Sequence, residues 1–259
     1  MDDLERLSAD DIREYYQRHY TPGNAVLVIV GDIDPKTTLT RITQSFGPLT
    51  GAPRPDRPAV KEPPQRGERR VIVKKEAQLP AVIAGYHVPN FRHPDAYALT
   101  VLAGLLADGP SSRLHRALVY ERQVALTVGA DYTALSADPP ILYVYGIAHA
   151  GTTGADLEHG LLEEVERLKT GEPSERELTK AKNQIEAQFV LGKDSNFYRA
   201  MQIGTAETVG AGRGYLDAFV ANVRKVTGAD VRRVANAYLG ADDRTVGVLV
   251  PLAPAAPSP

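Results

Sequence analysis

The chain has 259 residues, 43% of them hydrophobic and 24% charged, which is enough for one complete domain with a sizeable core plus part of another. Thirty Lys and Arg against 32 Asp and Glu leave a net charge of −2, which gives no electrostatic reason to expect a nucleic-acid partner. There are no cysteines, which excludes disulfides, thiolate metal sites and Cys nucleophiles, and no apolar run reaches membrane-spanning length.

The first organised stretch, Ser8–Asp32, reads as a helix, a turn and a strand. Ser8 is a candidate N-cap with Asp10 and Asp11 in the first turn, where negative charge suits the helix dipole. Ile12, Tyr15, Tyr16 and His19 or Tyr20 recur at three- and four-residue spacing and form one apolar face. Thr21-Pro22-Gly23-Asn24 breaks the helix, and Ala25–Val30 is an unbroken apolar run that fits a strand covered on both faces. Asp34 is a plausible N-cap for a helix over Pro35–Phe46 that stops at Gly47-Pro48. Residues 51–67 are proline-rich and read as an interdomain linker.

Arg69–Lys75 and Ala81–Val88 read as adjacent antiparallel strands. Asp95–Ala107 is a strongly apolar, buried helix stopped by Asp108-Gly109-Pro110, and Ser111 or Ser112 caps a following helix over Arg113–Glu121 with Leu114, Ala117 and Leu118 inward. Val124–Tyr132 and Ile141–Ala148 read as strands. Ala155–Leu168 is an amphipathic helix. Ser174 with Glu177 forms a capping-box pattern ahead of a helix over Glu175–Leu191, and two further helices cover Asn196–Val209 and Tyr215–Val223. Thr227–Val250 then repeats the opening unit at an offset of 219 residues: Asp230 falls on Asp11, Val231 on Ile12 and Arg232 on Arg13. An echo that distant points to duplicated domains.

The expected organisation is therefore residues 1–50 as the C-terminal remnant of a first domain, the linker 51–67, a complete second domain over 68–250 and a flexible tail over 251–259. On this reading the upstream part of the first domain is not in this chain, and Ala25–Val30 lacks its sheet neighbours. The expected fold class is α+β, a duplicated two-layer domain with a mostly antiparallel sheet and helices packed on one face.

The residues present do not assemble an active site. The six histidines (His19, His87, His93, His115, His149 and His159) include no pair at i, i+4, and His159 with Glu163 reads better as a surface pair than as metal ligands. His19 reads as a packing residue. Gly109–Arg113 could hold an anion at a helix start, although two serines after Gly-Pro are more often an ordinary cap. The carboxylates of the Ala155–Leu168 helix read as a solvated face.

Four stretches, in order, carry a resemblance: Leu7–Pro35; Phe46–Leu49 before the linker; Val73–Pro89 followed by His93-Pro94-Asp95; and Gly109–Val128. Together they resemble the pitrilysin/insulinase family of zinc metallopeptidases, in its bacterial and mitochondrial-processing-peptidase-like branch. The resemblance implies the LuxS/MPP-type metallopeptidase-like fold built from duplicated domains. It also implies a zinc bound through His-x-x-Glu-His plus a later Glu, with the motif Glu activating water. No histidine here begins that motif, so no zinc ligand or catalytic base is transferred to any residue, and zinc belongs to the parent enzyme. Some family members carry an Arg and a Tyr seven residues apart in the domain facing the zinc; the matching positions here hold Val119 and Leu126, neither of which can donate to an oxyanion.

The resemblance thus implies a non-catalytic region of a metalloendopeptidase that supports a peptide chamber and pairs with a homologous subunit or complementary half. A zinc-free partner or scaffold subunit is the alternative. A periplasmic location is implied by resemblance alone.

Overall fold

The structure, a computed structural model, describes residues 2–51, 53–55 and 63–252. Parts of the expected linker (52 and 56–62) and of the expected tail (253–259) lie outside the described residues.

The opening stretch forms α1 (Asp2–Arg6), α2 (Ala9–His19) and α3 (Pro35–Phe46). Ser8 and Asp11 close a reciprocal capping box on α2, and Asp34 caps α3. Neither α2 nor α3 buries a residue: Ile12, Tyr15, Tyr16 and Leu39 all face outward, with Tyr15 stacked on His19. Ala25–Val30 is not covered on both faces, as its apolar run alone suggests; as the domain reading expects, it pairs with no strand among the described residues, and Val26, Leu27 and Ile29 are exposed. β-branched composition favours extended backbone, but a strand also needs a neighbour to complete its hydrogen bonds. The segment passes α7 (Asn196–Thr208), where a Cβ on Gly204 would sit 3.7 Å from Val28 Cγ2.

The remaining strands are β1 (Arg69–Glu76), β2 (Ala81–His87), β3 (Ala125–Asp131), β4 (Ile141–Ala148) and β5 (Arg244–Leu252). They form one sheet in the order β1-β5-β2-β4-β3, antiparallel except for the parallel β1–β5 pair. The sequence reading put β1 beside β2; β5 lies between them instead. β5 carries the apolar run that suits a central strand, whereas β1, with Arg69, Arg70, Lys74 and Lys75, suits the edge, where cations discourage further pairing.

Helices cover one side of the sheet: α4 (Ala96–Ala107), α5 (Gly154–Thr170), α6 (Glu175–Leu191), α8 (Gly212–Lys225) and α9 (Gly228–Tyr238). α4 buries nine of its twelve residues and lies between the sheet and the outer helices, so it has no polar face. Val82, Ala84, Leu142, Val144 and Val246 meet Leu99, Leu102, Leu157, Leu161 and Val231 in the core. The capping box expected at Ser174 is present, Thr227 and Asp230 close another on α9, and α9 has the same length as α2. The two copies of the echoed unit nevertheless differ in surroundings: α9 buries Val231, Val234 and Ala235 and feeds β5, while α2 feeds the unpaired segment.

Between α4 and β3 the chain makes a π-helix, His115–Glu121, with Ala117 and Leu118 buried as expected. Neither serine caps it; the Ser112 hydroxyl is buried and makes no hydrogen bond among the described residues. Two residues past the end of the π-helix, Gln123 has a φ of 52°, in the left-handed region. Gln123→Gly is expected to stabilise the chain by about 0.5–1 kcal/mol, relief of the Cβ clash outweighing the extra freedom glycine brings to the unfolded chain. A urea titration checks it; a lower midpoint contradicts it.

Candidate functional site

Among the described residues, no helix covers the second side of the sheet. Strand alternation sends Leu142, Val144 and Ala148 of β4 into the core and Tyr143, Tyr145 and Ile147 to the open side. On β2, Val82 and Ala84 are buried while Ile83 is 45% exposed. Register brings these side chains together: Ile83 is paired across to Tyr145 on β4 and to Gly247 on β5, and Tyr145 to Gly129 on β3.

Two glycines shape this surface. A Cβ on Gly129 would fall inside the volume of the Tyr145 ring, and one on Gly247 would lie 3.1 Å from Ile83 Cγ2. The absent side chains let the Tyr145 ring lie over β3 and Ile83 lean over β5. The result is a shallow groove of about 540 Å³ whose walls include Val73, Ile83, Tyr143, Tyr145, Ile147 and Leu249. Asp131, at the end of β3 and paired to Tyr143, is its one carboxylate. Burial, and then the Asp131 charge beside it, push the Tyr145 hydroxyl above the usual phenol range, so it stays a neutral donor. The groove offers apolar contact, two tyrosines and one anion; it offers no nucleophile–base pair.

Of the sequence-predicted positions, Val119 lies half-buried in the π-helix, packed against the core, and Leu126 is 56% exposed at the bulge where β3 shifts register on β4. The two environments differ, so substitutions there should differ in effect. Leu126→Tyr is expected to change stability by no more than about 0.5 kcal/mol, whereas Val119→Arg costs roughly 1–3 kcal/mol because the guanidinium must leave an apolar contact. Thermal melts of the two single variants test this, and equal losses would contradict it.

The other sequence candidates are engaged within the fold. Glu163 is held by Arg122 at 2.6 Å and Arg167 at 2.8 Å, which occupies the carboxylate next to His159. Arg113 of the candidate anion site is bidentate to Glu177, at 3.0 and 3.2 Å. Burial opposes the Glu177 charge, but Arg113 and the Ser174 cap outweigh it and hold the carboxyl at about 2. The solvated-face reading of the α5 carboxylates is corrected at Glu164, which is buried and satisfied by Arg167 at 2.8 Å; burial pushes its carboxyl up. Among the described residues there is no group of three or more His, Asp or Glu side chains able to hold a metal, and no helix is long and apolar enough to cross a membrane.

The open sheet side went unnoticed in the sequence. The signal was there: in Ile141–Ala148, Tyr and Ile occupy every second position, an alternation of two apolar faces that marks one face as covered by something other than solvent.

The fold and site together define a two-layer α+β unit, a mostly antiparallel sheet covered by helices on one side and apolar on the other. Residues 6–185 match the family model described as the peptidase M16 inactive domain, and the chain belongs to that family. It is 30% identical over 199 residues to the zinc protease PqqE of Helicobacter pylori, covering 76% of this chain and 45% of that one. The crystal structure of a protease from Helicobacter pylori superimposes with a TM-score of 0.91 at 28% identity, over 97% of this chain and 61% of that one. The peptidase M16 inactive domain from Pseudomonas fluorescens shares the fold, with a TM-score of 0.81 at 17% identity over 99% of this chain and 61% of that one. The chain spans about half the length of the curated relatives it matches, 45% of the first and 53% of the second.

Proposed function

We propose that this chain is the non-catalytic part of a zinc-dependent metalloendopeptidase, and that its open sheet side is a wall of the peptide-binding chamber. The observation that carries the reading is the uncovered apolar groove around Tyr145, opposite a fully packed helical layer. A sheet side with this composition is stable in water at a cost, and burial against a partner or an extended peptide repays it. The relatives' description as zinc proteases supports zinc in the parent enzyme. The described residues do not fit a zinc ion, so the chemistry falls to another half. Val119 and Leu126 stand where an Arg and a Tyr would assist that half; with neither able to donate, a homologous partner supplies those donors.

The test is peptide binding mapped by amide chemical shifts on the full chain. Extended peptides are expected to perturb Ile83, Tyr143, Tyr145 and Gly247, and Ile83→Lys to weaken binding by about tenfold. Perturbation confined to the helical side, with Ile83→Lys silent, overturns the reading.

A further inference from the structure

The groove has an electrostatic polarity that its apolar walls do not explain. Its carboxylate, Asp131, ends the edge strand β3, and no Lys or Arg side chain lines the groove among the described residues. At the opposite edge β1 carries Arg69, Arg70, Lys74 and Lys75, of which Arg70 is tied to Glu68 at 2.9 Å and Glu158 at 2.6 Å. Asp131 is exposed and makes no ion pair with any described residue; its neighbour is the Tyr145 hydroxyl. The carboxylate and the aromatic face lie together because Gly129 leaves room for the ring over β3.

We propose that Asp131 and Tyr145 form a subsite for a cationic side chain, Lys or Arg, of an extended peptide whose neighbouring apolar side chains lie against Ile83, Ile147 and Leu249. This rests on the open side being a peptide wall and assigns it a substrate preference. A guanidinium or ammonium there meets a carboxylate that has no ion-pair partner among the described residues, and a ring face beside it; both favour a cation. A carboxylate in the same place would meet Asp131, a like charge. The cation-bearing edge at β1 makes the preference directional, so the basic side chain lies toward β3.

The experiment uses fluorescein-labelled nine-residue peptides of alternating Val and Thr with one central arginine, and the same peptide with citrulline, which keeps the shape and removes the charge. Binding to the full chain is read by anisotropy at low salt. The arginine peptide is expected to bind about fivefold more tightly, the upper range for a partly solvated ion pair, and the ratio to shrink as salt rises. Asp131→Asn, at an exposed position, is expected to bring the ratio of the two affinities to about one. Equal affinities in the unsubstituted chain, or a ratio that survives Asp131→Asn, overturn the subsite but leave the peptide wall standing. Failure of both peptides to bind at millimolar concentration overturns the wall and the subsite with it.

Discussion

Leu102→Ala is expected to destabilise the chain by about 2–5 kcal/mol and to lower its melting temperature by roughly 5–15 °C. Leu102 is fully buried on α4, the helix enclosed between the sheet and α6, α8 and α9. Rigid neighbours on every side cannot collapse into the space left by the isobutyl group, so the cost includes the cavity as well as the lost transfer energy. Leu39→Ala on α3 provides the contrast: Leu39 is exposed, and its loss should stay within about 0.5 kcal/mol. Denaturant titrations of the two variants decide it. A Leu102→Ala loss no larger than that of Leu39→Ala would mean that α4 does not organise the core.

The second large effect is expected at Asp95, where α4 begins. Its residue is 7% exposed, and instead of capping α4 it accepts from Arg233 at 2.7 Å and from the Tyr238 hydroxyl at 2.8 Å, with His93 Nδ1 at 3.6 Å. These contacts tie α4 to α9. Arg233 foremost, against the opposing effect of burial, holds the Asp95 carboxyl below its ordinary 3.8. A depressed carboxylate pKa contributes stability that is present above the unfolded value, near pH 4, and is lost as pH falls through the folded value. Asp95→Ala should therefore cost about 1–3 kcal/mol at pH 7, the half-exposed Arg233 limiting the penalty of the charge left behind. At pH 2 the gap between parent and variant should narrow markedly. A gap that is the same at both pH values would show that packing, and not the ion pair, carries the effect.

Much of the fold was legible because its signals are local. The capping residues Ser8, Asp34 and Ser174, the apolar run of α4 and the inward leucines of α5 each declare a helix within one turn of sequence. Strand order was not legible, because β5 enters between β1 and β2 from more than 150 residues away and no local pattern records it. At Ala25–Val30 the local pattern alone suggests a covered strand, because six apolar residues specify extended backbone but not a partner; only the echo at Thr227–Val250 points to its missing neighbours. The π-helix and the orphaned Ser112 hydroxyl escaped too, since a Gly-Pro-Ser-Ser start reads as an ordinary cap. The candidate site needed register as well as pattern. Ile83, Tyr145 and Asp131 lie on three different strands, and only the pairing of β2, β4 and β3 puts them on one surface.

We propose that catalysis belongs to another half and that this chain supplies a binding wall. It is tested most directly by metal analysis of the purified chain after exhaustive dialysis, coupled to a cleavage assay on an unstructured protein. The chain alone is expected to hold no stoichiometric zinc and to cleave nothing. One zinc per chain that survives dialysis, with cleavage abolished by a chelator, would contradict it.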